Sequence, residues 1–237
     1  MKAIKAPRCL GFDTAADTTG WLHRLKNRFG MQVGFRFLGR GKTRDKVPNK
    51  ASWRVPLSKM EVDNFMEADL YISPVQFAAR GEEPTIENMR EAGKWAADNA
   101  MWLGFPEGTT IWCDLEHKVD VPKGRQIEMI NVWSEEVVVN APYRSGQYVT
   151  PDMKLNGNEL YSTLVYTTAY WKSASYVPLV ENRGYQVLQS LEYQVFHEYI
   201  QLFRKHLNDI NIRIDMDMIT VNLMKNGKPA HFYVVGA

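Results

Sequence analysis

Two carboxylates stand one residue apart in the stretch Ile111-Trp112-Cys113-Asp114-Leu115-Glu116-His117. The stretch reads as a short buried strand. Side chains alternate along a strand, so Asp114 and Glu116 project to one face and Cys113 and Leu115 to the other. Two acids at the end of an apolar strand repel each other and lose hydration, which costs stability unless something compensates. Active sites tolerate such pairs because one carboxyl can stay protonated while the other stays ionised. Glycoside hydrolysis needs that division. One carboxyl protonates the leaving oxygen, and the other activates water, attacks, or stabilises an oxocarbenium-like transition state. Glu116 has the longer reach and is the expected acid, with Asp114 as its partner. The alternative chemistry is a divalent metal site, because clustered carboxylates also bind Mg2+ or Ca2+. That would suit a metal-dependent phosphodiesterase. Such sites recruit histidines, and the chain has five in all, with His117 turned away from the pair by parity.

Two further strands carry acids. Cys9-Leu10-Gly11-Phe12-Asp13 ends in Asp13, and Ile212-Arg213-Ile214-Asp215-Met216-Asp217 carries Asp215 and Asp217. A single acid after a strand is a common turn or cap residue. Acids ending three strands point to one shared site. Asp13 and Asp215 join the candidate catalytic set. Tyr148, Trp171, Gln189 and Asp217 are candidate substrate contacts, because aromatics near strand ends make stacking platforms for sugar rings. No Ser-His-Asp pattern with a nucleophile elbow, no dinucleotide fingerprint and no Walker loop is present. Gly39-Arg40-Gly41-Lys42 lacks both the spacing of a phosphate loop and a following helix. No cofactor and no resident metal is expected.

Those residues need a scaffold that brings strand ends together. Strands are predicted at residues 9–13, 32–38, 70–75, 111–116, 145–150, 167–171, 185–190 and 211–219. Helical spacing of apolar residues predicts helices over 18–29, 57–68, 85–103, 124–140 and 192–207. Eight short strands alternating mostly with helices predict a (β/α)8 TIM-type barrel, irregular in its second half. In such a barrel the site lies at the C-terminal ends of the strands. The chain reads as one domain over 1–237, with a core at 9–219 and an extension at 220–237. Asn226-Gly227 between apolar runs predicts a β-hairpin in that extension. Residues 39–54 carry six cations against Asp45 and read as an exposed loop, with a clamp for an anionic polymer as the functional alternative.

The bulk numbers agree with a globular protein. The 237 residues are 45% hydrophobic and 24% charged, which is enough to bury a large core. A net charge of +2 gives no footprint for nucleic acid. No apolar run is long enough to span a bilayer. Lys2 and Lys5 have no apolar segment behind them, so no cleavable signal peptide is expected. Cys9 and Cys113 have opposite parity relative to the acids on their strands, so a disulfide is not expected.

The order of these motifs resembles the family 25 glycoside hydrolases, which are lysozymes. The resemblance rests on Gly11-Phe12-Asp13, Trp112-Cys113-Asp114-Leu115-Glu116, Ser145-Gly146-Gln147-Tyr148-Val149-Thr150, Ala169-Tyr170-Trp171, Leu188-Gln189-Ser190 and Ile214-Asp215-Met216-Asp217. The chain is even more similar to the related glycoside-hydrolase-like domains of uncharacterised function. The resemblance implies a barrel and cleavage of peptidoglycan or a related glycan, after release or secretion to the cell wall. It implies Glu116 as general acid and Asp114 as the carboxylate that positions substrate or stabilises the transition state. It also implies an acidic floor from Asp13 and Asp215, with Tyr148 lining the cleft. A carbohydrate-binding barrel without catalysis is the non-enzymatic alternative. The basic loop, the helix at 192–207 and Leu188 depart from the family pattern.

Overall fold

A computed structural model describes residues 1–39, 55–78, 84–115, 121–173, 187–189, 215–219, 224–225, 228–229 and 232–237. In chain order the elements begin with β1 (Lys2–Lys5), β2 (Leu10–Thr14), α1 (Leu22–Phe29), β3 (Met31–Phe37), α2 (Lys59–Glu67) and β4 (Tyr71–Phe77). Next come α3 (Ile86–Trp102), β5 (Thr110–Asp114), α4 (Lys123–Val138), β6 (Arg144–Val149), α5 (Gly157–Thr163) and β7 (Thr167–Lys172). The last are β8 (Val187–Gln189), β9 (Asp215–Ile219), β10 (Met224–Lys225), β11 (Lys228–Pro229) and β12 (Tyr233–Gly236).

Three of the helices, α2, α3 and α5, start where side-chain caps dictate. Ser58 accepts from the Glu61 N–H and Thr85 from the Asn88 N–H, each satisfying an orphan donor of the first turn. Asn156 and Glu159 form a reciprocal capping box at the start of α5. Gly30 closes α1 with φ of 67°, a left-handed conformation that suits a residue without Cβ.

The fold is mixed α/β, built on a curled sheet. Strands β2 to β8 pair in parallel with their neighbours, in the order β4-β3-β2 on one side and β8-β7-β6-β5 on the other. β9 bridges the two groups. Val75, Gln76 and Phe77 of β4 pair with Trp112, Cys113 and Asp114 of β5, which brings the curl round on itself. The (β/α)8 expectation needs correction at one point. β9 runs antiparallel to both β2 and β8. Helices follow β2 through β6, while the predicted helix at 192–207 lies outside the described residues. An antiparallel strand needs no right-handed helical crossover, so the repeating βα unit stops being required where β9 enters.

Alternation divides the core in two. Phe12, Ile111, Cys113, Val149 and Tyr170 face outward and pack with the helices. Val33, Phe35, Val75, Trp112, Tyr148, Ala169, Trp171 and Ile219 fill the interior. Inside, Phe35 stacks on Trp171 at 4.7 Å and Trp112 meets Trp171 edge-on at 5.9 Å. Gly146 makes this fit possible, since a Cβ there would lie 2.4 Å from a ring carbon of Trp112.

The chain termini close the far end. β1 pairs with β12, β12 meets β4 at Val235–Ile72, and the Tyr233 N–H donates to Thr110 Oγ1. Phe232 then enters the interior, 5.2 Å from Trp112. The predicted hairpin is present, with β10 and β11 paired across Asn226-Gly227. Cys9 and Cys113 are free and belong to different packing layers, as parity predicts. Among the described residues, no helix is long and apolar enough to cross a membrane.

Candidate active site

Asp13 stands near the C-terminal end of β2 and Asp114 at the end of β5, three strands round the wall. Their parity matches that of Gly11 and Trp112, so both belong to the interior side of the sheet. Both are nearly enclosed, at 7% and 4% exposure. Tyr148, near the end of β6, shares that side and packs edge-on against Trp171 at 4.8 Å. Asp215 opens β9, and its backbone pairs with that of Asp13. The antiparallel direction of β9 is what brings the start of that strand, rather than its end, to the Asp13 level.

Asp217 lies two residues deeper. It pairs with Gly11 on one side and Gln189 on the other. It is fully buried, and its Oδ1 accepts from the Trp171 indole N–H at 2.9 Å. Trp171 is 2% exposed, with one ring face stacked on Phe35. The structure therefore places Trp171 and Asp217 in the packed interior, bonded to each other, and Gln189 beside Asp217 in the ladder. Glu116 and His117, and the basic residues from Arg40 to Arg54, lie outside the described residues.

The stems of the basic stretch are placed. The Gly39 carbonyl accepts from Asn99 Nδ2, and the Val55 N–H donates to the Ala15 carbonyl just beyond Asp13. The second stem is also held by an interaction with no local signal in the sequence. Arg36, fully buried, makes a two-pronged ion pair with Glu61 of α2 at 2.6 and 2.9 Å. The same guanidinium donates to the Thr14 and Val55 carbonyls. Glu61 also accepts from the Thr18 N–H and hydroxyl. One ion pair thus ties the end of β2, its following loop, the returning stem and α2.

Cys113 sits behind Asp114 on the outer face. Burial, and then the Asp114 charge, push its thiol well above the usual range. A thiol held protonated is no nucleophile. Among the described residues, no group of three or more His, Cys, Asp or Glu is placed to hold a metal ion.

The profile of the Rv2525c-like, glycoside hydrolase-like domain matches residues 30–218. The chain belongs to this family. No curated protein matches the chain. Among solved structures, the Mycobacterium tuberculosis Tat-secreted protein Rv2525c superposes with a TM-score of 0.62 at 11% identity, covering 94% of this chain and 98% of that one. GHIP of Streptococcus pneumoniae, a glycosyl hydrolase 25, gives 0.54 at 9% identity, covering 90% and 87%. The modular autolysin LytC of Streptococcus pneumoniae, solved with a synthetic peptidoglycan ligand, gives 0.56 at 12% identity, covering 90% of this chain and 46% of that one. At these identities the likeness is one of fold.

Proposed function

We propose that this chain is a peptidoglycan-cleaving glycosidase of the muramidase type. The observation that carries the reading is the placement of Asp114 at a strand end on the interior side, with Asp13 on that same side and Asp215 in register with it. Membership of a glycoside-hydrolase-like family and the fold shared with GHIP and LytC support it. Glu116, two residues beyond Asp114, donates a proton to the leaving glycosidic oxygen. Asp114 positions the substrate or stabilises the oxocarbenium-like transition state. Asp13 and Asp215 complete the acidic floor, and Tyr148 lines the cleft. Trp171 and Asp217 form the layer beneath, which sets the shape of the sugar site, and Gln189 is a further substrate contact. The basic segment after β3 attracts an anionic envelope polymer.

The test is release of reducing sugars from purified cell walls. The wild-type chain releases them, and Glu116→Gln abolishes release while the circular dichroism spectrum is unchanged. Equal release by that variant refutes the assignment. Insensitivity to EDTA separates this chemistry from a metal-dependent phosphodiesterase. The low exposure of Asp13 and Asp114 favours a second reading, a barrel that binds glycan without cleaving it. Retention of wall fragments with no product by mass spectrometry selects that reading.

A further inference from the structure

Asp114 is the last residue of β5, where a strand end is least constrained. Its main chain is nevertheless held on both flanks. On the β4 side, the Ala78 N–H donates to the Asp114 carbonyl at 2.9 Å. On the β6 side, the donor is a side chain. Gln147 Nε2 donates to the Cys113 carbonyl at 3.1 Å and to the Tyr148 carbonyl at 2.6 Å. Those carbonyls belong to the residue before Asp114 and to Tyr148 itself. One amide therefore fastens the two strand ends that carry a candidate carboxylate and a candidate cleft residue.

Gln147 is fully buried on the outer face, in a row with Cys113 and Gln76 across three strands. Its own oxygen has no hydrogen-bond partner among the described residues. Burying such an oxygen without a partner destabilises the fold, so a methionine of similar length would satisfy packing better. The glutamine is explained by what its amide holds. Gln76 is the natural comparison. It is buried too, its oxygen likewise lacks a partner among the described residues, and it flanks Cys113 from the other side, but among those residues its amide reaches only the Phe77 carbonyl of its own strand.

We propose that Gln147 is a positioning residue that fixes Asp114 and Tyr148 relative to one another. The inference rests on the glycosidase reading for its consequence in catalysis, while its structural half can be measured without turnover. The experiment compares Gln147→Met with Gln76→Met, each removing one buried amide beside Cys113. The side-chain carboxyl 13C resonance of Asp114, assigned by its loss in Asp114→Asn, is followed together with that of Asp13. In Gln147→Met the Asp114 resonance moves and the Asp13 resonance stays. In Gln76→Met both stay. An unmoved Asp114 resonance in Gln147→Met, or an equal displacement in both variants, overturns the proposal. On cell walls, Gln147→Met lowers kcat about tenfold or more with KM within about twofold, as loss of alignment at a reacting group does. A wild-type chain that releases no sugar sinks the glycosidase reading alone, and the resonances still decide the role of Gln147.

Discussion

Among the described residues, Arg36→Met leaves the buried Glu61 carboxylate with the two Thr18 donors in place of a two-pronged guanidinium. Both members of the pair are at or below 1% exposure, so water cannot take over the lost contacts. Removing one partner of such a pair costs about 3–5 kcal/mol, chiefly the desolvation of the charge left behind. For a chain of this size each kcal/mol lowers the melting temperature by about 2–4 °C, so the expected fall is about 6–20 °C. The double variant Arg36→Met, Glu61→Leu removes the stranded charge as well. It still leaves the Thr14 and Val55 carbonyls and the Thr18 donors to find new partners, at about 1 kcal/mol each. The double variant is therefore less stable than wild type but melts no lower than Arg36→Met alone. Scanning calorimetry on all four members of the cycle measures the coupling, expected at about 2–3 kcal/mol. A single variant within about 2 °C of wild type refutes the reasoning. So does a double variant whose loss equals the sum of the two singles.

Gly146→Ala forces a methyl against the Trp112 ring, which cannot retreat because Phe35, Trp171 and Phe232 surround it and its indole N–H is bonded to Ser73. Overpacking of this kind costs about 1–3 kcal/mol, read as a lower denaturant midpoint and an altered near-ultraviolet tryptophan signal, and an unchanged midpoint contradicts the packing described. Alkaline pH destabilises the fold. Burial pushes Cys9 up to about 12, and burial followed by the Glu107 charge pushes Tyr143 up to about 12, from ordinary values of 9.0 and 10.0. Above pH 9.0 the unfolded chain releases protons that the folded chain retains, so stability falls as pH rises from there toward 12. Melting temperatures at pH 8 to 11 track that decline, which Cys9→Ala makes shallower, and a flat profile rejects it.

Local periodicity made most of the fold legible. Helix α3 carries its apolar stripe and its Thr85 cap in one continuous segment, and both read directly from the residues. The inward and outward faces of β5 followed from alternation alone, which separated Cys113 from Asp114 correctly. Helix α5 lies outside the predicted helices, although the spacing of Asn156 and Glu159 is a capping-box signal. Other features have no local signature. β1 and β12 recognise each other across nearly the whole chain, and Lys2–Lys5 is too short and mixed to announce a strand. Arg36 lies between Phe35 and Phe37 on an alternating strand, so its outward direction is readable, but Glu61 is 25 positions away on another element.

Strand direction is the feature that alternation cannot encode, and it decides what the last motif can do. Period-two patterning reads the same forwards and backwards, so Asp215 and Asp217 look alike in the sequence. In a parallel β9 the chain would climb towards the rim, and Asp215 would lie deeper than Asp217. The observed strand descends instead. Asp215 stands level with Asp13, and Asp217 falls level with Gly11, whose missing side chain leaves room there. A Cβ on Gly11 would approach the Asp217 Cβ to 3.5 Å and the Val33 carbonyl to 3.0 Å. Asp217 is thereby committed to the interior, where the Trp171 indole meets its Oδ1. Two acids one residue apart thus stand at different depths: Asp217 braces the aromatic floor, and the backbone of Asp215 lies level with that of Asp13.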